Sequence, residues 1–197
     1  MLTEDQINQN KVRYIELLTH LNIDLTKLTK YLDMERVDFF RKPFTSNNEG
    51  AYFGGLCEHA LKMYDEVTRL ANIYFPGRYS ERDIIIVTLF KDLYKAELFE
   101  PYTKRVKNDA ANTWEDVIAF KTKESGMRPV FGEVGFSSYM IAKKFIDFDK
   151  DDLVEAICYS STSSQYDLDI HNIRTDYPLV TLTTMAEFAV QYFKENN

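Results

Sequence analysis

A lysine and an aspartate stand next to each other directly after the most apolar run of the sequence. The run is Ile84–Phe90, and Lys91 and Asp92 follow it. Read as a helix, the run places Asp92 on the same face as Ile85 and Leu89, so the carboxylate points toward the core. A buried ion pair costs free energy unless each charge has a partner. A pair of opposite charges at this position therefore needs a structural or chemical reason.

Helical periodicity accounts for most of the chain around this pair. We predict helices over residues 3–21, 25–32, 55–75, 80–99, 136–147, 150–160 and 178–194. The β-branched residues Ile84–Val87 would by themselves favour a strand, but the apolar pattern continues with helical spacing through Leu93 and Ala96. Tyr102–Val106 and Trp114–Lys121 are predicted to form a small hairpin. These patterns predict an all-α fold, a helical bundle with a small β-hairpin insertion.

Composition excludes several classes of function. The net charge is −7 and the sequence has no cluster of Lys and Arg, which argues against general nucleic-acid binding. A small anionic ligand held by a few local donors is compatible with this charge. The apolar runs are shorter than the roughly 18 residues of a membrane span. The N-terminus lacks the pattern of a signal peptide, so we expect a cytoplasmic protein without a membrane partner. Cys57 and Cys158 have no metal-type spacing and are expected to be reduced.

Two segments carry a resemblance to a known family. Gly54–Leu61 reads Gly-Gly-Leu-Cys-Glu-His-Ala-Leu, and Leu89–Lys95 reads Leu-Phe-Lys-Asp-Leu-Tyr-Lys. Together they resemble the HD-domain metal-dependent phosphohydrolases, closest to a branch found in bacteria and their phages. Further segments similar to that branch are Phe39–Pro43, Glu49–Tyr52, Pro129–Gly135, Glu155–Ser160 and Pro178–Ala189. The resemblance implies one HD-type domain over residues 1–197, with an N-terminal helical segment 1–38 and an HD-like core 39–195.

The metal site that the family implies is degenerate in this chain. Members of the family hold a divalent ion with a His, a His-Asp pair and a distal Asp. The matched residues here are His59, Lys91 with Asp92, and Glu187. Imidazole is the main transition-metal ligand in such sites, and an ammonium repels a dication. The family's additional histidines are matched by Glu49, Glu133, Ser160 and Thr184. We therefore expect no cofactor and no metal-dependent hydrolysis.

The resemblance suggests a different electrostatic arrangement. Glu49, Asp92, Glu133 and Glu187 are expected to surround Lys91, whose ammonium would stand where the ion stands in the family. The site would then be a structural ion network, or a pocket in which Lys91 is a fixed cation for a phosphate.

Tyrosines accompany the matched positions. Tyr52, Tyr94 and Tyr159 fall near them and could stack on a base. The candidate ligand-binding residues are Lys91, His59, Asp92, Glu187, Glu49, Tyr94 and Tyr159.

These features predict an inactive relative of the HD-domain enzymes that binds a nucleotide-like phosphate ligand or a protein partner. One alternative is an active nucleotide phosphohydrolase that recruits Mn, Mg, Fe or Zn through His59, Asp92 and Glu187, with Glu49 as a further candidate ligand. Another is a structural or interaction protein, such as a phage-encoded modulator of host proteins.

Overall fold

Helices make up most of the described part of the chain. The computed structural model describes residues 1–47, 50–108, 112–124, 134–159 and 167–192, except for the side chains of 167–171. The helices are α1 Glu4–Thr19, α2 Leu25–Leu32, α3 Gly55–Tyr74, α4 Glu81–Phe90, α5 Lys95–Leu98, α6 Val134–Ala142, α7 Asp151–Tyr159, α8 Asp167–Asp176 and α9 Pro178–Tyr192. A short 3₁₀ turn, Phe39–Arg41, precedes α3. None of the described helices combines the length and apolar composition that a bilayer crossing requires.

Helix α4 lies at the centre of the core. Its residues from Asp83 to Phe90 are all buried, and it packs against α3 and α7. Ser80 begins the helix with a capping box, in which its side chain and that of Asp83 satisfy each other's backbone N–H groups. The Tyr14 hydroxyl of α1 donates a 2.7 Å hydrogen bond to the Leu89 carbonyl. The capping box at Ser80 and the burial of the helix on all sides therefore stabilise a helix in a segment whose β-branched residues favour a strand.

The end of α4 differs from the sequence prediction. We predicted one helix from Ser80 to about Phe99, and this is wrong beyond Phe90. The Leu93 N–H donates to the Phe90 carbonyl at 3.3 Å, and the Lys95 N–H donates to the Asp92 carbonyl at 2.9 Å. These three-residue spacings define a tight turn before α5. Adjacent side chains on a straight helix diverge by about 100°, whereas this turn directs the charged ends of Lys91 and Asp92 to one place.

The prediction of an all-α fold is wrong, because the chain contains a sheet. Strands β1, Phe99–Asn108, and β2, Thr113–Thr122, form an antiparallel pair in which Tyr102 lies opposite Ala119. Both strands are longer than the predicted segments. Strand β1 begins at Phe99, which is buried, and runs to Asn108, whereas β2 extends the predicted Trp114–Lys121 by one residue at each end. The chain is therefore mostly helical with a small two-stranded antiparallel sheet.

Helix α8 is absent from the sequence prediction. Its segment contains Asp167, Asp169, Asn172 and Thr175, residue types with low helix propensity, and its apolar residues do not form a clear stripe. It packs against α9, which in turn packs against α3. The packing between α3 and α9 brings Glu187 beside His59.

Candidate functional site

The Lys91 ammonium lies between two carboxylates at the turn after α4. Its Nζ is 2.6 Å from Asp92 Oδ2 and 2.7 Å from Glu187 Oε2. The Lys91 side chain is 0 % exposed, and both acidic partners are largely buried. Short N⁺–H···O⁻ contacts of this kind are the strong class of hydrogen bond. Helix α9 supplies Glu187, so this contact connects α9 to the turn after α4.

A second lysine adds a positive charge to the described part of this network. Lys95 Nζ lies 3.0 Å from Asp92 Oδ1, in an ion pair whose angle falls short of a well-directed hydrogen bond. The same ammonium lies 3.5 Å from the centre of the Phe44 ring, which is a cation–π contact. Two ammonium groups therefore face two carboxylates, Asp92 and Glu187.

His59 approaches the network from α3. Its Nε2 lies 3.3 Å from each carboxylate oxygen of Glu187. Since a carboxylate only accepts hydrogen bonds, the neutral imidazole carries its proton on Nε2 and donates to Glu187. The His59 ring also stacks on Phe44, with ring centres 3.5 Å apart and planes 17° from parallel. Phe44 thus contacts both His59 and Lys95.

Burial and charge act in opposite directions on the pKa values of the network. Burial disfavours the ammonium of Lys91, but Asp92 and Glu187 more than offset this, so the pKa of Lys91 is raised. Burial likewise disfavours both carboxylates, yet Lys91 holds the pKa of Asp92 below its ordinary value and that of Glu187 well below. The pKa of His59 is lowered by burial, so its imidazole is neutral at pH 7. Lys91, Asp92 and Glu187 are therefore charged, and His59 is not.

Three of these groups have the chemistry of a metal site. Donor atoms of His59, Asp92 and Glu187 all lie within 4.8 Å of one another. However, Lys91 Nζ already contacts both carboxylates at hydrogen-bond distance and repels a dication. The residues present do not fit a divalent ion, because a protein cation stands between the two acidic ligands.

A pocket of about 580 Å³ adjoins this network on the side of His59. Its lining includes Phe44, Tyr52, Glu58, His59, Lys62 and Tyr192. The Tyr52 hydroxyl donates to Glu58, and Lys62 Nζ lies 3.3 Å from the same carboxylate. Gln191, another lining residue, donates from its side-chain amide to Glu187. Among the described residues, the pocket therefore adjoins the buried ion network through His59, Gln191 and Phe44.

The remaining sequence-predicted residues lie apart from this pocket or outside the described residues. Tyr94 is buried, and its backbone N–H donates to Ser138 Oγ at 3.1 Å. Tyr159 ends α7 and is half-buried, and neither tyrosine is part of the pocket lining. Thr184 donates its hydroxyl to the Val180 carbonyl at 2.8 Å, as helical threonines commonly do. Glu49, Glu133 and Ser160 lie outside the described residues.

Sequence reasoning missed three contributors to the site. Lys95 stands within the quoted motif, three residues after Asp92, and this helical spacing could have marked it as a second partner. Gln191 follows Glu187 by four residues in α9 and offered the same kind of signal. Phe44 gave no signal, because its contacts with His59 and Lys95 depend on long-range packing.

No protein-family model, curated protein or solved structure matches this chain.

Proposed function

We propose that this chain is a catalytically inactive relative of the HD-domain phosphohydrolases that binds a nucleotide-like phosphate ligand without hydrolysing it. The observation that carries the proposal is the position of Lys91. Its buried ammonium lies 2.6 Å and 2.7 Å from the two carboxylates that would otherwise hold an ion.

The loss of hydrolysis follows from charge. Metal-dependent phosphohydrolysis needs a cation that activates water and contacts the phosphate oxygens. Lys91 neutralises the acidic groups, but its side chain is buried away from solvent. Unlike a metal ion, it has no coordination position that a water molecule or a phosphate oxygen could occupy. Its role in this proposal is structural, because a 0 % exposed side chain does not reach a ligand in the pocket.

The ligand class follows from the pocket lining. Tyr52 and Tyr192 offer aromatic faces on which a planar base can stack. Lys62 is a lining cation with a side chain 52 % exposed, and an ammonium binds phosphate as a point charge. Its partner Glu58 is only a single contact at 3.3 Å, so a ligand phosphate can compete for the ammonium.

Thermal shift with a panel of nucleotides and cyclic nucleotides tests the binding. We expect a ligand to raise the melting temperature by mass action, and Lys62→Gln to abolish the shift. Lys27→Gln is the matched control, since it removes an exposed lysine from α2, away from the pocket. If no member of the panel raises the melting temperature, the protein has a structural role and the proposal fails.

Metal analysis and a hydrolysis assay test the inactivity. We expect the purified protein to contain no stoichiometric Mn, Mg, Fe or Zn, and to leave the bound nucleotide intact. Bound metal together with turnover would establish an active phosphohydrolase instead.

A further inference from the structure

The two-stranded sheet leaves both of its outer edges without a strand partner among the described residues. In an antiparallel pair, successive residues direct their backbone groups alternately toward the partner strand and away from it. The Lys123 N–H donates to the Leu98 carbonyl at 3.0 Å, and Lys121 lies opposite Glu100 in the same register. This fixes the alternation. The β2 residues that direct their backbone groups outward are Trp114, Asp116, Ile118, Phe120 and Thr122.

The outer edge of β1 is closed to further pairing. By the same alternation its odd-numbered residues point outward, and Pro101 is one of them. Proline has no N–H, and strand edges that must not pair commonly carry it. Arg105 and Lys107 add charge along that edge.

The outer edge of β2 is less protected, because Asp116 is its only charged outward-facing residue. Its ten residues contain no proline, and Ile118 and Trp114 are 60 % and 59 % exposed. No described residue hydrogen-bonds to the outward backbone groups of β2. A long, exposed edge whose outward-facing residues are mostly apolar is a template for pairing with another strand.

We propose that β2 pairs with β2 of a second copy of this chain, antiparallel, with Ile118 opposite Ile118 of the second copy. The outward-pointing backbone groups then meet, because even-numbered residues face even-numbered residues, and about ten intermolecular hydrogen bonds form. The two sheets merge into one four-stranded sheet with a two-fold axis at Ile118.

Charge selects this register. Glu115 stands three residues before Ile118 and Lys121 three residues after it, so each Glu115 faces Lys121 of the second copy. Opposite charges directly across a sheet stabilise the pairing, and like charges destabilise it. Placing the two-fold axis at Asp116 or Glu115 instead would set identical carboxylates against each other.

Sedimentation and disulfide trapping test the proposal. We expect the full-length protein to show a concentration-dependent dimer. Paired residues at this position have Cα atoms about 5.5 Å apart, within the range that a disulfide spans. Ile118→Cys should therefore form a linked dimer on mild oxidation, with little background because Cys57 and Cys158 are buried.

The register has its own control. Val117→Cys should not link to itself, because Val117 faces Ala119 of the second copy. A mixture of Val117→Cys and Ala119→Cys proteins should link to each other. A monomer at every concentration, or equal self-linking by Ile118→Cys and Val117→Cys, would overturn the proposal.

Charge reversal supplies an independent measurement. Glu115→Lys should raise the dimer Kd by about tenfold, because both Glu115–Lys121 pairs of the dimer then set one lysine against another. The control, Glu35→Lys, makes the same charge change at an exposed site outside the sheet and should leave the Kd unchanged. Adding Lys121→Glu to Glu115→Lys should restore dimerisation, with circular dichroism as the check that the hairpin persists after the 3.3 Å Lys121–Glu100 pair is lost. Equal effects of Glu115→Lys and Glu35→Lys would contradict the register.

Discussion

Removing the Lys91 ammonium should convert the ion network into a metal-binding site. Lys91→Ala leaves Asp92 and Glu187 buried with one counter-charge fewer, and Lys95 alone cannot balance both. Deleting one partner of a buried ion pair costs about 3–5 kcal/mol. We therefore expect the free energy of unfolding to fall by about that amount in a urea titration.

The same substitution empties the space between the three potential ligands. The donor atoms of His59, Asp92 and Glu187 remain within 4.8 Å of one another, now without a cation between them. Zn²⁺ or Mn²⁺ should then raise the melting temperature of Lys91→Ala, and a metal at a hundredfold its Kd contributes about 2.7 kcal/mol. The wild-type protein should show no such metal-dependent shift.

Lys91→Met is the matched control for space. Methionine fills most of the volume of the lysine without its charge, so this variant should be destabilised yet should not gain metal binding. A loss below about 1 kcal/mol in both variants would refute the reasoning, because it would place the Lys91 contacts in the range of surface ion pairs. Equal stabilisation of wild type and Lys91→Ala by metal would refute it as well.

Two further predictions concern pH and backbone packing. The pKa of His59 lies below its ordinary 6.5 and that of Glu187 well below 4.5, so both groups take up protons more readily in the unfolded chain. The free energy of unfolding should therefore fall as the pH decreases below 6.5, and fall further below 4.5. Urea titrations at about pH 7.5, 5.5 and 4 measure this change. A free energy of unfolding that stays constant or rises as the pH is lowered would contradict the prediction. Gly55→Ala should destabilise the protein by about 1–3 kcal/mol, since the added Cβ would lie 2.4 Å from the Gly50 carbonyl oxygen. Gly77→Ala, where nothing lies within 4 Å and only the positive φ of +75° opposes alanine, should cost no more than about 1–2 kcal/mol. Urea titrations of both variants at about pH 7.5 measure these losses, and a smaller loss for Gly55→Ala than for Gly77→Ala would contradict the packing argument.

Local patterns predicted much of the fold but not its interruptions. The hairpin follows from two short segments without helical period, one of them Trp114–Lys121, on either side of a polar turn, and α3 and α9 follow from their apolar spacing. The end of α4 did not, because Leu93 and Ala96 continue a helical pattern through a tight turn. Period alone does not distinguish a continuing helix from a turn whose side chains are equally buried.

The site was predictable only in part. Lys91 and Asp92 can be recognised in the sequence because they are charged residues directly after an apolar run. Glu187 lies 96 residues beyond Lys91, and only the family resemblance connected the two residues. Phe44 joins His59 to Lys95 through ring contacts that no sequence spacing encodes. Contacts between segments distant in the chain depend on how the helices pack, which a local pattern does not carry.

The pairing of Lys91 with Asp92 and Glu187 makes the folding of this protein independent of the metal concentration around it. A cation joined to the backbone by covalent bonds is neither lost on dilution nor extracted by a chelator, so this part of the core stays neutralised in surroundings that strip metalloproteins. The same bond tethers the charge to one place. It leaves no vacant coordination position that an incoming oxygen atom could fill.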